Sequence, residues 1–221
     1  MHVGILGGTG SAGRALAARL ASVGLEVSIG SRDAARAAGI AAEISAAWPD
    51  QLLRIEGTDN RAAATADLVV VATPWDSAAR TAGSVGDHLE GKVVVSMANA
   101  LAKVGREFQA LIPARGSVAA AIQAEVPGAM VAGALHHVPA RELGALDAGL
   151  DGDVLVCSDH PDAIVATMEL VGRIPGLRPL DAGGLSSAGP IEAFTAVILN
   201  LNIAYRVRSG IRLLGIEVAA N

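Results

Sequence analysis

The sequence of 221 residues predicts an α/β fold: a doubly wound parallel sheet, then a small C-terminal α/β domain that ends in a long helix. Three observations predict it. A short apolar run near the N-terminus (Val3, Ile5, Leu6) stops at paired glycines, and a helical pattern begins at about Ser11. The runs Leu68-Val69-Val70-Val71-Ala72 and Val93-Val94-Val95 are continuous rather than alternating, as strands buried on both faces are. Around them the apolar spacing switches to the helical period.

Composition narrows the function before any motif is read. A hydrophobic content of 52% with both periodicities describes a folded protein with a sizeable core. Aromatic residues make up 2% and the net charge is −5, with no Lys/Arg block, so nucleic-acid and membrane-surface roles are not expected. Cys157 is the single cysteine and lies in the apolar run Val154–Val156, which reads as a buried strand thiol in a reducing compartment. No charged-then-apolar leader opens the sequence and no apolar run reaches the ~18 residues of a membrane span, so a cytoplasmic protein is expected.

The N-terminal glycines carry the first chemistry. Gly8, Gly10 and Gly13 fall in the spacing G-x-G-x-x-G, with Thr9, Ser11 and Ala12 between them. Between a strand and a helix this is the Rossmann dinucleotide fingerprint. The first glycine makes the tight turn, the second admits a pyrophosphate to the backbone, and the third lets helix and strand pack closely. The helix N-terminus offers free N–H groups and its positive dipole end to phosphate.

A helix with Leu16, Ala17, Leu20 and Ala21 on one face runs to Gly24, and a second strand through Val27 and Ile29 ends at Gly30-Ser31-Arg32. This is roughly 20 residues past the fingerprint, where an NAD site places an acid on the ribose 2′-hydroxyl. Here stand Ser31 and Arg32, with Arg36 one helical turn on. A hydroxyl and two guanidiniums suit a 2′-phosphate, so NADP is expected rather than NAD. Asp33 reads as an acid at the start of the next helix.

That helix is expected to reach about Trp48, followed by a short strand over Leu52–Ile55 and a brief helix from Asp59 to Ala66. Thr73-Pro74 follows the Leu68–Ala72 strand, at the carboxyl end where ligands gather in such sheets, and borders the nicotinamide half; Trp75 reads as a packing residue. The same logic places Ser96 to Asn99 near the cofactor. Further elements are a helix over Gly116–Ala124, a strand over Met130–Leu135, a strand over Asp153–Cys157, a helix over Pro161–Arg173 capped near Asp159, and a strand over Leu177–Leu180. A domain boundary is set near Pro127-Gly128, giving units 1–128 and 129–221. The longest helix is expected from Pro190 to about Leu214, with Ile191, Phe194, Val197, Ile198, Leu201, Ala204 and Tyr205 as an apolar stripe wide enough for a second subunit. Arg206, Arg208 and Arg212 at its end complement the helix dipole or hold an anionic tail. Adjacent His136 and His137 are poor metal ligands, because neighbours on an extended chain face opposite ways. One is expected to line a pocket and the other to be exposed, with proton transfer by His136 as the sharper alternative. No metal is expected.

Gly7-Gly8-Thr9-Gly10, Gly30-Ser31-Arg32, Thr73-Pro74-Trp75, Ala134-Leu135-His136, Val138-Pro139-Ala140 and Leu177-Arg178-Pro179-Leu180-Asp181-Ala182-Gly183 together resemble the coenzyme F420-dependent NADP oxidoreductases over nearly the whole chain. The resemblance implies direct hydride transfer between NADP(H) and the deazaflavin F420, in a homodimer with small-molecule cofactors as its partners. It implies NADP contacts at Thr9 to Ala12, Ser31, Arg32, Arg36, Thr73, Ala78 and Ala98, with Ala134, His136 and Val138 beside the deazaflavin. Residues 129–221 would then wall the F420 pocket and carry the dimer contact. Met97-Ala98-Asn99-Ala100 departs from the proline-containing apolar stretch usual there, which bears on Ala98. Such a reaction asks the protein mainly to stack two rings with reacting atoms about 3–3.5 Å apart.

Two other classes remain open on sequence. One is an NADPH-dependent reductase of a flavin, ferric or small imine or carbonyl substrate, although no lysine follows Lys103 to serve as the proton donor of β-hydroxyacid dehydrogenases. The other is a non-catalytic NADP-sensing domain.

Overall fold

The computed structural model describes residues 1–216. Strands β1 (His2–Leu6), β2 (Glu26–Ser31), β3 (Ile55–Asp59), β4 (Leu68–Val71), β5 (Val93–Ser96), β8 (Met130–Gly133), β9 (Gly152–Ser158) and β10 (Leu177–Asp181) form one sheet, ordered β10-β9-β8-β5-β4-β1-β2-β3. The six strands β3-β2-β1-β4-β5-β8 are parallel and follow the doubly wound Rossmann order. β9 then runs antiparallel to β8, with Gly133 opposite Cys157, and β10 runs parallel to β9. The sheet is therefore continuous across residue 128.

Helices cover both faces. On one side lie α1 (Ser11–Ser22), α2 (Ala34–Ala47), α6 (Ala140–Gly144) and α7 (Pro161–Gly172), packed on Val3, Ile5, Val70 and Val95. On the other lie α3 (Asn60–Ala63), α4 (Trp75–Gly83), α5 (Val118–Glu125) and α8 (Ala188–Tyr205), packed on Leu6, Val69, Val71 and Val94. Consecutive valines thus feed two cores, which is why these strands are apolar without alternation. Arg19 of α1 is buried and donates to the carbonyls of Leu143 (2.9 Å) and Ala145 (2.7 Å), pinning α6 and the chain after it to the first helix. Among the described residues no helix is long and apolar enough to cross a membrane.

Several expectations are corrected. The third strand is Ile55–Asp59, not Leu52–Ile55, and Leu52 is exposed. As an edge strand it needs little apolar character, and Gly57 is required because a Cβ there would lie 2.1 Å from the backbone of Ala37 in α2. The brief helix capped by Asp59 stops at Ala63. The hairpin β6 (Leu101–Val104) and β7 (Glu107–Ala110) was not foreseen; it docks on α8 through Asn200, which accepts from Phe108 N and donates to Phe108 O. The cap position of α7 is His160, next to Asp159 as expected, while the Asp159 carboxylate accepts from Leu185 N. The long helix ends at Tyr205, not near Leu214, because Arg206 adopts the left-handed conformation (φ 56°) and turns the chain. Beyond it Arg208 pairs with Glu142 and Arg212 with Asp151, so neither serves the helix dipole. Of the expected stripe, Ile191 and Ile198 are buried, while Phe194, Val197, Leu201 and Tyr205 are exposed.

Glu192 joins the two ends of this helical layer. Its carboxylate is buried and accepts from the amides of Val118 (2.8 Å) and Ala119 (3.1 Å) at the start of α5. Burial pushes the carboxyl up to about 7, against the pull of those two amides. A carboxyl raised on folding favours the native state below its ordinary value of 4.5, and that contribution is lost as pH rises to about 7. Glu192's own contribution is expected to fall by about 1–3 kcal/mol across this window, and Glu192→Gln to remove it. Thermal melts of wild type and Glu192→Gln between pH 4 and 8 (roughly spanning the window) check it: the difference between the two should change with pH, and a constant difference would mean that Glu192 stays ionised throughout.

Candidate functional site

The carboxyl ends of β1, β2 and β4 open onto a cavity of about 750 Å³, lined by the glycine turn, the chain after β2, Asn60, Thr73, Pro74 and one face of α4. The glycines divide the work as their spacing predicts. A Cβ on Gly13 would lie 2.6 Å from Gly8 Cα, so that glycine permits the contact of α1 with the turn. A Cβ on Gly10 would meet nothing within 4 Å, leaving the backbone open to the cavity. Gly10 is also the N-cap of α1 and supplies no side chain to its first turn. The first intrahelical bond runs from Arg14 N to Gly10 O, so the amides of Ser11, Ala12 and Gly13 precede it and remain for an anion. Gly7 has φ +67°, and the Thr73 methyl occupies the space a side chain would need.

Ser31, Arg32 and Arg36 line the same cavity. Asp33 lines it too, but its Oδ1 accepts from Arg36 N (3.0 Å) as the N-cap of α2, and its own N donates to Ser31 Oγ. The acid is thus committed to the helix. Arg32 and Arg36 form no ion pair among the described residues, leaving both guanidiniums for a ligand. At the far end of the cavity Thr73 Oγ1 is buried without a hydrogen-bonding partner, and Ser96 Oγ, at the end of β5, is equally unpaired. Of the two, Thr73 stands on the cavity wall, where a ligand can supply the missing partner, and Ser96 lies fully buried behind it.

A second cavity of about 200 Å³ lies at the same end of the sheet, because β9 starts beyond the carboxyl end of antiparallel β8. His137, Val138, Glu142, Asp153 and the returning segment at Arg208–Ile211 wall it. His136 lines neither cavity. Both histidines are buried, which overturns the expectation that one is exposed. Leu135 has φ +66°, so the chain is turned rather than extended there and the two rings do not diverge to opposite faces. His137 Nε2 lies 2.7 Å from Ile191 O, whereas neither ring nitrogen of His136 has a partner among the described residues. Burial, and secondarily His137, lowers the pKa of His136 to about 3, so its imidazole is neutral at physiological pH.

With this geometry in view, comparison with known proteins is decisive. Residues 2–100 match the family model described as NADP oxidoreductase coenzyme F420-dependent. The F420-dependent NADP reductase of Methanothermobacter marburgensis is 36% identical over 219 residues, covering 96% of this chain and 98% of that protein. The chain belongs to the F420-dependent NADP reductase family. The enzyme of the same name from Methanocaldococcus jannaschii is 33% identical over 99% of this chain and its own full length. A crystal structure of an F420-dependent NADP-reductase homologue from Arthrobacter sp. FB24 superposes with a TM-score of 0.79 at 26% identity, covering 93% of this chain and 95% of that one.

Within this reductase fold the expected site residues separate by position. Thr9, Gly10, Ser31, Arg32, Arg36, Thr73 and Pro74 gather on the large cavity, and Val138 on the small one. Gly8, Ala12 and Gly13 form the turn and the start of α1 behind it, while Ser11 faces a neighbouring groove with Arg14 and Arg141. Ala78, Ala98 and Ala134 are buried and line neither cavity. Trp75 opens α4 half-exposed rather than packed in the core. Asn60, Ser77, Arg80, Thr81 and Ser84 also line the cavity and carry no expectation from the sequence. Asn60 Oδ1 accepts from Gly7 N (3.1 Å) and so fixes the turn from α3. Arg80 faces the cavity from α4, and its signal was available: Ser77, Arg80, Thr81 and Ser84 recur at helical spacing opposite the buried Ala78 and Ala82.

Proposed function

We propose that this protein is an oxidoreductase that transfers hydride directly between NADP(H) and coenzyme F420. The observation that carries the NADP half is the pair of unpaired guanidiniums, Arg32 and Arg36, beside an acid already spent as a helix cap. Family membership carries the F420 half. When both are bound, hydride passes between the nicotinamide and the central carbon of the deazaflavin, with no covalent enzyme intermediate.

The chain's own residues bind, orient and exclude water. The first-turn amides of α1 hold the pyrophosphate, and Ser31, Arg32 and Arg36 hold the 2′-phosphate. Thr73, with its unpaired hydroxyl, borders the nicotinamide end, while Ala78, Ala98 and Ala134 are buried and off the cavity surface. We place the deazaflavin at the second cavity, on Val138. His136, neutral and buried, is assigned a positioning role rather than proton transfer: its carbonyl accepts from Asn99 Nδ2 (3.3 Å) and fixes the turn leading to Val138. Residues 1–128 then form the NADP unit, and residues 129–221 wall the F420 pocket. The exposed Phe194, Val197 and Leu201 of α8 support a homodimer contact on the C-terminal unit. The net charge of −5 argues against nucleic acid as a partner, and a single buried thiol, raised to about 11 by burial, suits a reducing cytoplasm.

Mixing the protein with NADPH and oxidised F420 tests the reading. Loss of the deazaflavin absorbance is expected with F420 and not with FMN or FAD in parallel. Turnover of flavins alone would make it a flavin reductase, and NADPH binding without turnover a sensor. Arg32→Ala is expected to weaken NADPH by about 10- to 100-fold and NADH little. Equal losses in a fluorescence titration would remove the 2′-phosphate assignment.

A further inference from the structure

The large cavity has a wall that the glycine motif and the β2 arginines do not use. α4 buries Ala78 and Ala82 and turns Ser77, Arg80 and Thr81 toward the cavity, with Ser84 just beyond its end. The two serine hydroxyls are satisfied on their own backbone: Ser77 Oγ donates to Pro74 O (3.0 Å) and Ser84 Oγ to Thr81 O (2.7 Å). Arg80 is different. Its guanidinium forms no ion pair among the described residues. A planar cation therefore faces a cavity that Arg32 and Arg36 line as well.

The lining contains no aromatic side chain. The flat, polarisable base of a dinucleotide has only guanidinium planes to stack on, and arginine stacks on aromatic faces where lysine, a compact point charge, does so poorly. We propose that Arg80 is an adenine-binding residue of this reductase, holding the base against the β2 wall from α4. Ser31, Arg32 and Arg36 are left for the 2′-phosphate. The assignment rests on the NADP reading above, but it makes a different prediction. Arg80 recognises the part that NADPH and NADH share, whereas Arg32 and Arg36 recognise the part that distinguishes them.

Binding rather than turnover tests it, with NADPH and NADH each titrated by fluorescence. Arg80 is exposed and makes no side-chain hydrogen bond among the described residues, so its variants should keep the wild-type melting temperature. Arg80→Ala is expected to weaken both nucleotides by the same factor, about three- to tenfold, and Arg80→Lys to restore little of it. A loss confined to NADPH, or full rescue by lysine, would make Arg80 a charge partner of the 2′-phosphate and overturn the proposal. No loss at all would make it a solvated surface charge and overturn it equally. Either failure would leave the NADP reading standing so long as Arg32→Ala remains selective for NADPH.

Discussion

Gly10→Val is expected to abolish NADPH binding while leaving the fold intact, and Gly13→Val to damage the fold itself. The two glycines are three residues apart in one motif, yet the space around them is opposite. At Gly10 a side chain meets no protein atom, and the backbone (φ −76°, ψ 169°) is open to any residue. Valine there costs at most about 1 kcal/mol as a poor N-cap, but it fills the approach to the first-turn amides. Displacing a phosphate by an ångström or more from those donors is worth about a hundredfold or more in binding. At Gly13 the new Cβ lies 2.6–2.9 Å from three backbone atoms of Gly8, none of which can rotate away. The helix must move off the turn, at about 1–3 kcal/mol. For a chain of this size each kcal/mol lowers the melting temperature by roughly 2–4 °C. Thermal melts and NADPH titrations of both variants separate the cases. Retained NADPH affinity in Gly10→Val would place the pyrophosphate elsewhere than on α1.

The contrast also shows what the sequence could and could not convey. Gly8, Gly10 and Gly13, the Val-rich strands and the Ser31-Arg32 step were legible because each is set by local chemistry: backbone space, burial on both faces, a side chain at a fixed strand end. Asp33 was legible as an acid at the start of α2, and the structure sharpens that to its N-cap. Edge strand β3 was misplaced because Ile55–Asp59 is mostly polar and is held by pairing with β2, a long-range fact. The end of α8 was misread because Leu213 and Leu214 continue an apolar pattern past Arg206, where the chain has already turned. The two histidines were judged on an extended backbone that the left-handed Leu135 does not provide. The second cavity was invisible for a related reason: it exists only because β9 reverses the direction of the sheet and the C-terminal segment returns across its start.

Of the carboxylates that hold that segment Asp153 is the buried one, and Asp153→Ala should loosen it. Asp153 opens β9 with its side chain fully buried, and its oxygens accept from Arg178 Nε and Nη2, both at 2.7 Å. Oδ2 accepts as well from Leu213 N (2.6 Å), while the backbone N of Asp153 donates to Ile211 O (2.7 Å). Arg178 in turn donates to the carbonyls of Leu213 and Ile216, so the pair clamps the chain from both sides. The forked Arg178 hydrogen bonds hold the Asp153 carboxyl below the usual carboxylate range. A depressed carboxyl contributes stability that is present above its ordinary value and lost as pH falls through the lower, native one, so this clamp fails only in acid. Removing the carboxylate at neutral pH is expected to cost about 3 kcal/mol, since the cation and the Leu213 amide lose their acceptor together. The functional consequence is selective. Arg208, Gly210 and Ile211 of this segment wall the second cavity and touch none of the larger one. The apparent KM for F420 should therefore rise several-fold or more, on the order of the hundredfold that misplacement by an ångström brings, while the NADPH dissociation constant stays put. Asp153→Asn, which keeps shape and one acceptor oxygen, should fall between. A parallel loss of NADPH affinity would point to global loosening, and an unchanged F420 KM in a destabilised variant would move the deazaflavin away from this cavity.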